Sequence, residues 1–540
     1  MIGWLNQKTY RPLLCLYGGA ILTALTVVFP QIGLVQWFSM IPMIGAVLFL
    51  TEREDFTAKK SYRQGFITVY LYYFVIYHWF VNLYPMEFVG LGAGGSIVVI
   101  LAGWLGLSLL QALPGGLIFL SFRGLCRTEL LKKHPILKPV AFGALWILFE
   151  WFSTLTWTGV PWGRLYMGQA ESLPRMQISS VFGAYFLSFL ILLVNGFLAY
   201  MILYRQKQIL CFALSFGLVF SNQLFGLVRC NQDFEGEQSL KAAVIQGNID
   251  SHEKWMPSTI YLMMEVYDRL TAQAAGEGAE LIVWPETAIT VALNQSSSMK
   301  SFVSELAKEH GVTLLVGALY EDETGEFNSL FLVTPNGKIS EQRYDKRHLV
   351  PFGEYVPMRG LIQTVVPPLA DVSALDSDLT AGKDSALFDT PWGKLGGMIC
   401  FDSIYEMLGI ESVRDGANLM VIASNDSWFS DSTAVYQHQV QAQFRAIEEG
   451  RYLLRAANTG ISTVIAPNGE VLRWLDPLTE GYAVCEVVPL SSRTVYSVIG
   501  NAFVYMCGGC CLALWLADLI ANKRRQNTVN KISLDESSAK

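Results

Sequence analysis

Long apolar runs occupy both ends of the chain and enclose a stretch of ordinary polarity. Most runs reach the roughly 20 apolar residues that one helix needs to cross a bilayer. Positions 240–490 carry charged residues at normal frequency. The pattern predicts a water-exposed domain held between membrane helices. We expect seven spans before that domain and one after it, at about 12–30, 32–50, 65–84, 95–121 (interrupted by Pro114-Gly115-Gly116), 138–157, 178–203, 208–228 and 494–521.

Lysine and arginine collect in alternate connections between these runs. Short loops rich in these residues tend to stay in the cytoplasm. The distribution predicts that both termini are cytoplasmic and that the large domain is extracytoplasmic. The first run lacks a small-residue cleavage site, so we expect it to be retained as a signal anchor. The cytoplasmic connections are marked by Lys8, Arg11, Arg53, Lys59, Lys60, Arg63, Arg123, Arg127, Lys132, Lys133, Lys138, Arg205, Lys207 and Lys523 to Arg525.

Composition supports a membrane protein. Of the 540 residues, 52% are hydrophobic and only 16% are charged, which is too few charges for a soluble chain of this size. The net charge of −7 argues against a nucleic-acid partner. We divide the chain into a seven-helix bundle (1–230), a catalytic domain (231–492), a last helix (493–522) and a polar, disordered tail (523–540).

The nine cysteines do not suggest a disulfide framework, because most lie in or beside membrane runs. Cys507 and Cys510 stand mid-span, where small-residue helix packing explains their spacing better than a metal site. Cys230 and Cys485 both lie near the bilayer, and the sequence allows them to be paired or free. Cys400 is then the lone thiol of the domain.

The domain alternates short apolar runs with helical patterns, which predicts an α/β sandwich. Apolar residues fill the strands almost throughout, as in sheets covered on both faces. Two Pro-Asn-Gly turns, at 335–337 and 467–469, hint at a two-fold repeat. The predicted strands are LKAAVIQGN, AELIVWPE, VTLLVGALY, KLGGMIC, ANLMVIASN and ISTVIAP, and the predicted helices lie at about 258–275, 299–309 and 433–449.

Three chemically complementary residues lie where such strands are expected to end: Glu286, Lys346 and Cys400. Side chains at the carboxyl ends of strands converge on one crevice in open α/β sheets. A cysteine thiol is mostly protonated at neutral pH, so it needs a base or a nearby cation to act as a nucleophile. Glu286 can take the proton, Lys346 can stabilise negative charge, and the backbone N–H after the cysteine can add an oxyanion donor.

Each of these residues alone has an ordinary structural explanation, in the core for the cysteine and on a solvated loop for the others. His348 and His438 are alternative bases, although neither has a triad-like or metal-binding neighbourhood in the sequence. The chain has no HExxH motif, Walker loop or dinucleotide fingerprint. We therefore expect no cofactor and no metal.

Four segments carry a family resemblance: VWPETA, YDKRHLVPFGEYVP, GGMICFDS and SNDSWF. They resemble the nitrilase superfamily, and the flanking spans narrow the resemblance to the apolipoprotein N-acyltransferase family. The resemblance implies a nitrilase-like αββα sandwich inserted between transmembrane helices, seven before and one after. It implies Glu286 as the general base, Lys346 as the oxyanion-stabilising cation and Cys400 as the nucleophile.

The resemblance also assigns supporting positions. Glu354 would orient the lysine or relay protons, and Trp255 and Trp428 match aromatic positions near the acyl-chain entrance. Phe401 and Asp402 follow the nucleophile, where family members have Tyr and Glu. The carboxylate is thus one methylene shorter, and the phenol is lost.

The implied reaction moves an acyl chain from a membrane phospholipid, through a cysteine thioester, to the N-terminal amine of a diacylated apolipoprotein. The location would be the bacterial inner membrane, with the active site on the periplasmic side. The apolar segment at 361–370 is then expected to dip towards lipid as a lid over the thioester. A membrane-anchored amidohydrolase that releases its acyl group to water remains the alternative, and an inactive transporter or lipid-binding scaffold is a further class.

Overall fold

A computed structural model describes residues 10–86, 91–155, 160–205, 207–234, 238–250, 253–365 and 378–538, with the isolated residues 3, 5 and 236. Within these residues, eight helical segments are long and apolar enough to cross a membrane, as predicted. Short 3-10 helices extend the second segment (Pro30–Val35) and the third (Tyr77–Leu83). The long helices are α1 (Arg11–Val28), α2 (Ile41–Thr51), α3 (Ala58–Ile76), α4 (Ala93–Leu125), α5 (Lys138–Phe152), α6 (Ala184–Tyr204), α7 (Gln208–Cys230) and, after the domain, α13 (Ala502–Ser538).

Helix α4 continues through Pro114, so the predicted break at this position is wrong. Proline in a membrane helix is tolerated where neighbouring groups compensate for the lost hydrogen bond. Gly115 and Gly116 lie directly against α3, where an added Cβ would come within 2.5 Å of Val69 and 2.7 Å of Tyr62. The glycines therefore allow two helices to pack closely and do not end one.

Helix α13 also differs from the prediction, because it continues beyond the bilayer-length segment to Ser538. The polar tail after Arg525 contains neither proline nor glycine. Its residues are compatible with a helix once the preceding turns nucleate it. The tail is therefore helical as far as Ser538, where a disordered segment was predicted.

Two sheets form the domain between α7 and α13. The first has the order β13-β1-β2-β4-β5-β6, with β3 beside β4, and the second has the order β12-β11-β10-β9-β8-β7. In each sheet three parallel strands are followed by an antiparallel pair, so the predicted two-fold repeat is present. The strands are β1 (Leu240–Gln246), β2 (Leu281–Val283), β3 (Ile289–Ala292), β4 (Thr313–Asp322), β5 (Gly325–Val333), β6 (Ile339–Asp345), β7 (Leu387–Thr390), β8 (Gly393–Ile399), β9 (Leu419–Ser424), β10 (Leu453–Ala457), β11 (Ser462–Ile465), β12 (Val471–Leu475) and β13 (Gly481–Val487).

The two Pro-Asn-Gly turns occupy equivalent places in the repeat. One joins β5 to β6 and the other joins β11 to β12. The N–H of Gly337 donates to Thr334 at 2.8 Å, and the N–H of Gly469 donates to Ala466 at 2.8 Å. Both glycines have positive φ, 77° and 83°, which glycine adopts without steric cost.

Helices cover the outer face of each sheet, giving four layers. Apolar side chains of both sheets fill the space between them, with Val244, Leu315, Ile399, Val421 and Leu454 fully buried there. The first sheet is covered by α8 (Ile260–Gly276) and α9 (Ser297–His310), and the second by α11 (Glu406–Arg414) and α12 (Thr433–Glu449). The predicted αββα sandwich is confirmed, and a short helix, α10 (Arg359–Val365), lies outside it.

Helix α12 is buried on nearly every side because the membrane bundle covers the face that would otherwise meet water. Polar contacts cross this junction as well as apolar ones. Glu406, at the start of α11, accepts hydrogen bonds from Tyr185 at 3.0 Å and Asn501 at 3.1 Å. Its other oxygen pairs with Arg164 at 3.4 Å. Residues in α6, in the connection before it and just before α13 therefore meet one carboxylate of the domain.

Glu449, at the end of α12, gives the fold a pH-dependent stability. Burial raises its pKa to about 8, although Arg445 opposes the rise. The pKa of a glutamate in an unfolded chain is about 4.3. Stability is therefore lost as the pH rises from about 4.3 towards about 8. We expect Glu449→Gln to raise the thermal unfolding midpoint by about 2–5 °C at pH 8.5 and to change it little at pH 5.

The exposed Glu470 provides the control for this measurement, because Glu470→Gln removes a carboxylate from solvent-exposed surface. Its unfolding midpoint should match that of the parent at both pH values. If Glu449→Gln changes the unfolding midpoint by the same amount at pH 5 and at pH 8.5, Glu449 is not the source of the pH dependence.

Candidate active site

Glu286 stands in the loop that leaves the carboxyl end of β2. The preceding Trp284 fixes the start of this loop, since its N–H donates to Leu315 at 2.9 Å and its ring stacks on Tyr267 at 4.7 Å. The loop crosses β4 at Gly317, where an added Cβ would come within 2.2 Å of the Pro285 oxygen. A glycine at this point lets the loop turn inward and buries the Glu286 side chain.

Lys346 follows β6 directly. Its N–H donates to the Asn328 carbonyl at 2.8 Å, and its carbonyl accepts from Gly382 at 2.8 Å. The side chain is only 1% exposed. A buried ammonium is stable only beside anions, and two carboxylates surround it.

Those carboxylates belong to Glu286 and Glu354. Lys346 Nζ lies 2.8 Å from Glu286 Oε1 and 2.9 Å from Glu354 Oε2. The amide of Asn328 donates to both acids, at 2.7 Å and 3.0 Å. The site thus contains two carboxylates and one ammonium in direct contact, and one amide donates to both carboxylates.

The charges of this group set its protonation. Burial alone would lower the pKa of Lys346, but Glu286 and Glu354 outweigh burial and hold that pKa well above its usual value. Burial raises the pKa of Glu354, and Lys346 opposes that rise. Lys346 is therefore charged in the resting site.

Cys400 begins a 3-10 helix, Cys400–Ile404, immediately after β8. Its φ of 48° lies in the left-handed region, which is strained for a residue with a side chain. Burial raises the pKa of its thiol, the Glu286 carboxylate adds to the rise, and Lys346 opposes it. The resting sulfur is thus protonated, and an acceptor for its proton stands nearby.

Asp402 and Phe401 have separate positions in this turn. Asp402 is fully buried and accepts from the Tyr344 hydroxyl at 2.9 Å and from the His348 N–H at 2.8 Å. It therefore ties the segment after Lys346 to the turn that carries Cys400. Phe401 contacts Tyr405 edge-on, with ring centroids 5.5 Å apart.

The two predicted substrate-binding tryptophans lie in separate segments of the chain. Trp255 is 37% exposed, and its ring lies 5.5 Å from Lys254 Nζ. That ammonium donates to the Glu286 carbonyl at 3.4 Å and to the Thr287 hydroxyl at 2.7 Å. Trp428 is half-buried in the 3-10 helix Ser427–Phe429. Their contact with an acyl chain stays a prediction.

Several polar residues at the site were not predicted. Asn328 lies within a strand, and Lys254 precedes Trp255 in an irregular segment. His438 was expected to lack a triad-like neighbourhood, and this expectation is wrong, since its Nδ1 lies 2.9 Å from Asp426 Oδ1. The signal available in the sequence was a run of polar residues along α12 too long for one exposed face.

Cys400, Asp426 and His438 also bring three potential metal-ligand atoms within 4.8 Å of one another. Arg455 Nη2 already donates to Asp426 at 2.5 Å. Burial raises the pKa of Asp426, but Arg455 and then His438 outweigh burial and lower it. The guanidinium supplies the positive charge that this cluster requires.

The remaining cysteines and the expected lid are described in part. Cys230 and Cys485 are both free thiols, as are Cys507 and Cys510. Of the segment 361–370, residues 361–365 end helix α10, with Leu361 more than half exposed. Residues 366–370 lie outside the described part of the chain.

Comparison with known proteins gives the family. Residues 241–495 match the family described as Carbon-nitrogen hydrolase, and residues 19–197 match the Apolipoprotein N-acyltransferase N-terminal domain. The Apolipoprotein N-acyltransferase of Geobacter metallireducens is 32% identical over 90% of this chain and 91% of its own. The chain belongs to the apolipoprotein N-acyltransferase family.

Further relatives of that name extend the similarity. The Apolipoprotein N-acyltransferase of Gloeobacter violaceus is 29% identical over 96% of this chain and 95% of its own, and that of Haemophilus ducreyi is 27% identical over 90% and 92%. Among solved structures, an amidase from Nesterenkonia sp. has 17% identity and a TM-score of 0.38, over 51% of this chain and 97% of that chain. The apolipoprotein N-acyltransferase resemblance expected from the four motifs is confirmed.

Proposed function

We propose that this chain transfers a fatty acyl chain from a membrane phospholipid to the N-terminal amine of a diacylglyceryl-cysteine lipoprotein, through a thioester on Cys400. The curated relatives supply the acyltransferase class and the lipoprotein acceptor by name. One structural observation carries the proposal: the buried Glu286 and Lys346 pair acts electrostatically on the Cys400 thiol. Base, cation and nucleophile thus share one site.

In the first half-reaction, Glu286 accepts the Cys400 proton as the sulfur attacks the ester carbonyl of the phospholipid. Negative charge moves to the carbonyl oxygen, where the Lys346 ammonium and the N–H of Phe401 stabilise it. The intermediate then expels the alkoxide of a lysophospholipid, which takes the proton back from Glu286. A thioester remains on the enzyme.

In the second half-reaction, the lipoprotein amine attacks the thioester carbonyl. Glu286 accepts a proton from the amine, and the same donors hold the second oxyanion. The carbon–sulfur bond breaks, an amide forms, and the proton returns to Cys400. Glu354 keeps Lys346 in place through both halves, because it holds the ammonium at 2.9 Å and shares Asn328 with Glu286.

Both substrates are lipids, which accounts for the membrane helices around the catalytic domain. The lysine and arginine distribution supports cytoplasmic termini and a periplasmic domain in the bacterial inner membrane. The division into 1–230, 231–492, 493–522 and 523–540 follows from this topology. Cleavage of the domain by a protease added only to the cytoplasmic face of inverted vesicles would contradict it.

The segment 361–370 is proposed as a lid that keeps water from the thioester. Leu361, at its start, and Met358, three residues before it, are both more than half exposed. Exposed apolar residues at one place mark a contact with lipid or protein. Trp255 and Trp428 would line the acyl chain. Spectroscopic probes along 361–370 that report a watery environment in liposomes would exclude this lid.

Intact-mass analysis tests the covalent route. Incubation with phospholipid alone should add one acyl mass to the protein, and hydroxylamine should remove it, because thioesters are cleaved by this reagent. The adduct should be absent in Cys400→Ala and present in the matched control Cys485→Ala, a buried thiol of the same domain.

Addition of a diacylated lipopeptide should then discharge the adduct and give a triacylated peptide. An enzyme that modifies the lipopeptide without ever carrying an adduct would exclude the thioester. Discharge of the adduct into free fatty acid, with no acylated peptide, would instead identify the amidohydrolase alternative.

A further inference from the structure

The carbonyl oxygen of Cys400 is held by two donors on the side of the domain that faces the membrane bundle. The Ser403 hydroxyl donates to it at 2.7 Å, and His438 Nε2 lies 3.2 Å from it. Ser403 Oγ and His438 Nε2 are themselves 3.0 Å apart. All of these groups are buried, so water does not compete for this oxygen.

The proton arrangement of His438 follows from its partners. Nε2 faces an oxygen that can only accept, so Nε2 carries a proton and donates. At Nδ1, Arg455 Nη2 lies at 3.2 Å and Asp426 Oδ1 at 2.9 Å. The Asp426 oxygen also only accepts, so Nδ1 donates to it. Burial and Arg455 lower the pKa of His438, and Asp426 opposes that lowering.

The orientation of the Cys400 carbonyl determines the direction of the next N–H. In a planar trans peptide, the C=O of one residue and the N–H of the following residue point to opposite sides. Holding the Cys400 oxygen towards His438 therefore turns the Phe401 N–H away from His438. That N–H lies in the first turn of a helix, where N–H groups have no intrahelical partner.

Hydrogen bonds to the carbonyl also strengthen the N–H of the same peptide as a donor. Bonds along a chain of amides polarise one another, and the effect is larger in a buried site. The φ of 48° at Cys400 is unfavourable for a non-glycine residue. Two donors on the Cys400 oxygen offset this cost and keep the peptide in one orientation.

We propose that His438, together with Ser403, is a positioning residue that aims and polarises the Phe401 N–H as an oxyanion donor. The proposal rests on the proposed function, since it takes Cys400 as the acyl-accepting nucleophile. His438 acts through the Cys400–Phe401 peptide and touches neither substrate. Its role therefore differs from that of a general base.

Two reactions of the same sulfur separate this role from a purely structural one. Alkylation by iodoacetamide displaces iodide from a tetrahedral carbon and forms no oxyanion. Acylation by a phospholipid ester passes through an oxyanion and depends on its donors. A residue that positions the oxyanion donor should affect acylation alone, whereas a residue that supports the fold or activates the thiol should affect both.

We expect His438→Leu to slow acylation of Cys400 about 10²-fold and Ser403→Ala about 10-fold, with alkylation within about threefold of the parent in both. His438→Gln keeps a donor near the carbonyl and should recover part of the acylation rate. Gln441→Leu is the matched control, since Gln441 is buried one turn along the same helix and its amide has no partner among the described residues. It should leave both rates unchanged.

Rates are measured by intact mass on the full-length protein in phospholipid nanodiscs for acylation and in detergent for alkylation. Parallel losses of both rates, or no loss of acylation in His438→Leu, would overturn the proposal. If His438→Leu does not fold, Ser403→Ala and His438→Gln carry the same test. A parent protein that is alkylated but never acylated would instead refute the proposed function, so the two failures are distinguishable.

Discussion

We expect Lys346→Met to lower acyl transfer by at least about a thousandfold. The ammonium is the cation between two buried carboxylates, 2.8 Å from Glu286 and 2.9 Å from Glu354. Loss of one oxyanion donor costs about 10²–10³ in rate, and here the general base loses its partner as well. Transfer from a fluorescent phospholipid to a lipopeptide measures the change.

Stability should fall in the same variant, because two buried carboxylates are left against one amide. Removing one member of a buried ion pair costs about 3–5 kcal/mol. The double variant Lys346→Met with Glu354→Gln should regain stability but not activity. Lys394→Met, at an exposed lysine of β8, should match the parent in both measurements. Retention of a tenth of the activity in Lys346→Met would show that the oxyanion is stabilised elsewhere.

Glu406→Gln should lower the thermal unfolding midpoint of the detergent-solubilised protein markedly. The carboxylate is buried and pairs with Arg164, and burial raises its pKa while Arg164 and Arg445 more than reverse that rise. The glutamine retains partners for Tyr185 and Asn501 but leaves Arg164 without its anion. Arg445, by contrast, keeps Glu448 at 2.6 Å. We expect a loss of about 3–5 kcal/mol.

The control lies on the same helix. Glu411 pairs with Arg347 at 2.7 Å but is 42% exposed, so Glu411→Gln should cost less than about 1 kcal/mol. A double-mutant cycle of Glu406→Gln and Arg164→Gln should show coupling of about 1–3 kcal/mol. Additive effects of the two substitutions would mean that the pair does not join bundle and domain.

The parts of the fold that depend on local pattern were predictable. A run of about 20 apolar residues is sufficient to predict a membrane-spanning helix. Strands covered on both faces are recognisable because most of their residues are apolar, as in β4 and β9. Because Glu286, Lys346 and Cys400 come shortly after the carboxyl ends of β2, β6 and β8, they could be placed at one edge. Family resemblance then added their expected roles.

The parts of the fold and of the site that depend on contacts between distant residues could not be predicted from the sequence. His438 is 38 residues from Cys400, and Asn328 is 42 residues from Glu286; only folding brings them together. Strand β10 contains Arg455 at a fully buried position, which hides a strand from any hydrophobic pattern. The continuity of α4 through Pro114 likewise depends on its packing against α3.

The position of α12 between the second sheet and the bundle determines what a minimal version of this enzyme must contain. A soluble fragment cut at the domain boundaries would uncover Glu448, which accepts from the Ala184 N–H at 2.7 Å, and Phe444, whose ring lies 4.6 Å from that of Tyr166. That surface combines charged and apolar side chains, so neither water nor lipid would solvate all of it. The bundle is therefore a structural layer of the catalytic unit, and engineering that aims at a free-standing catalyst must first replace this layer.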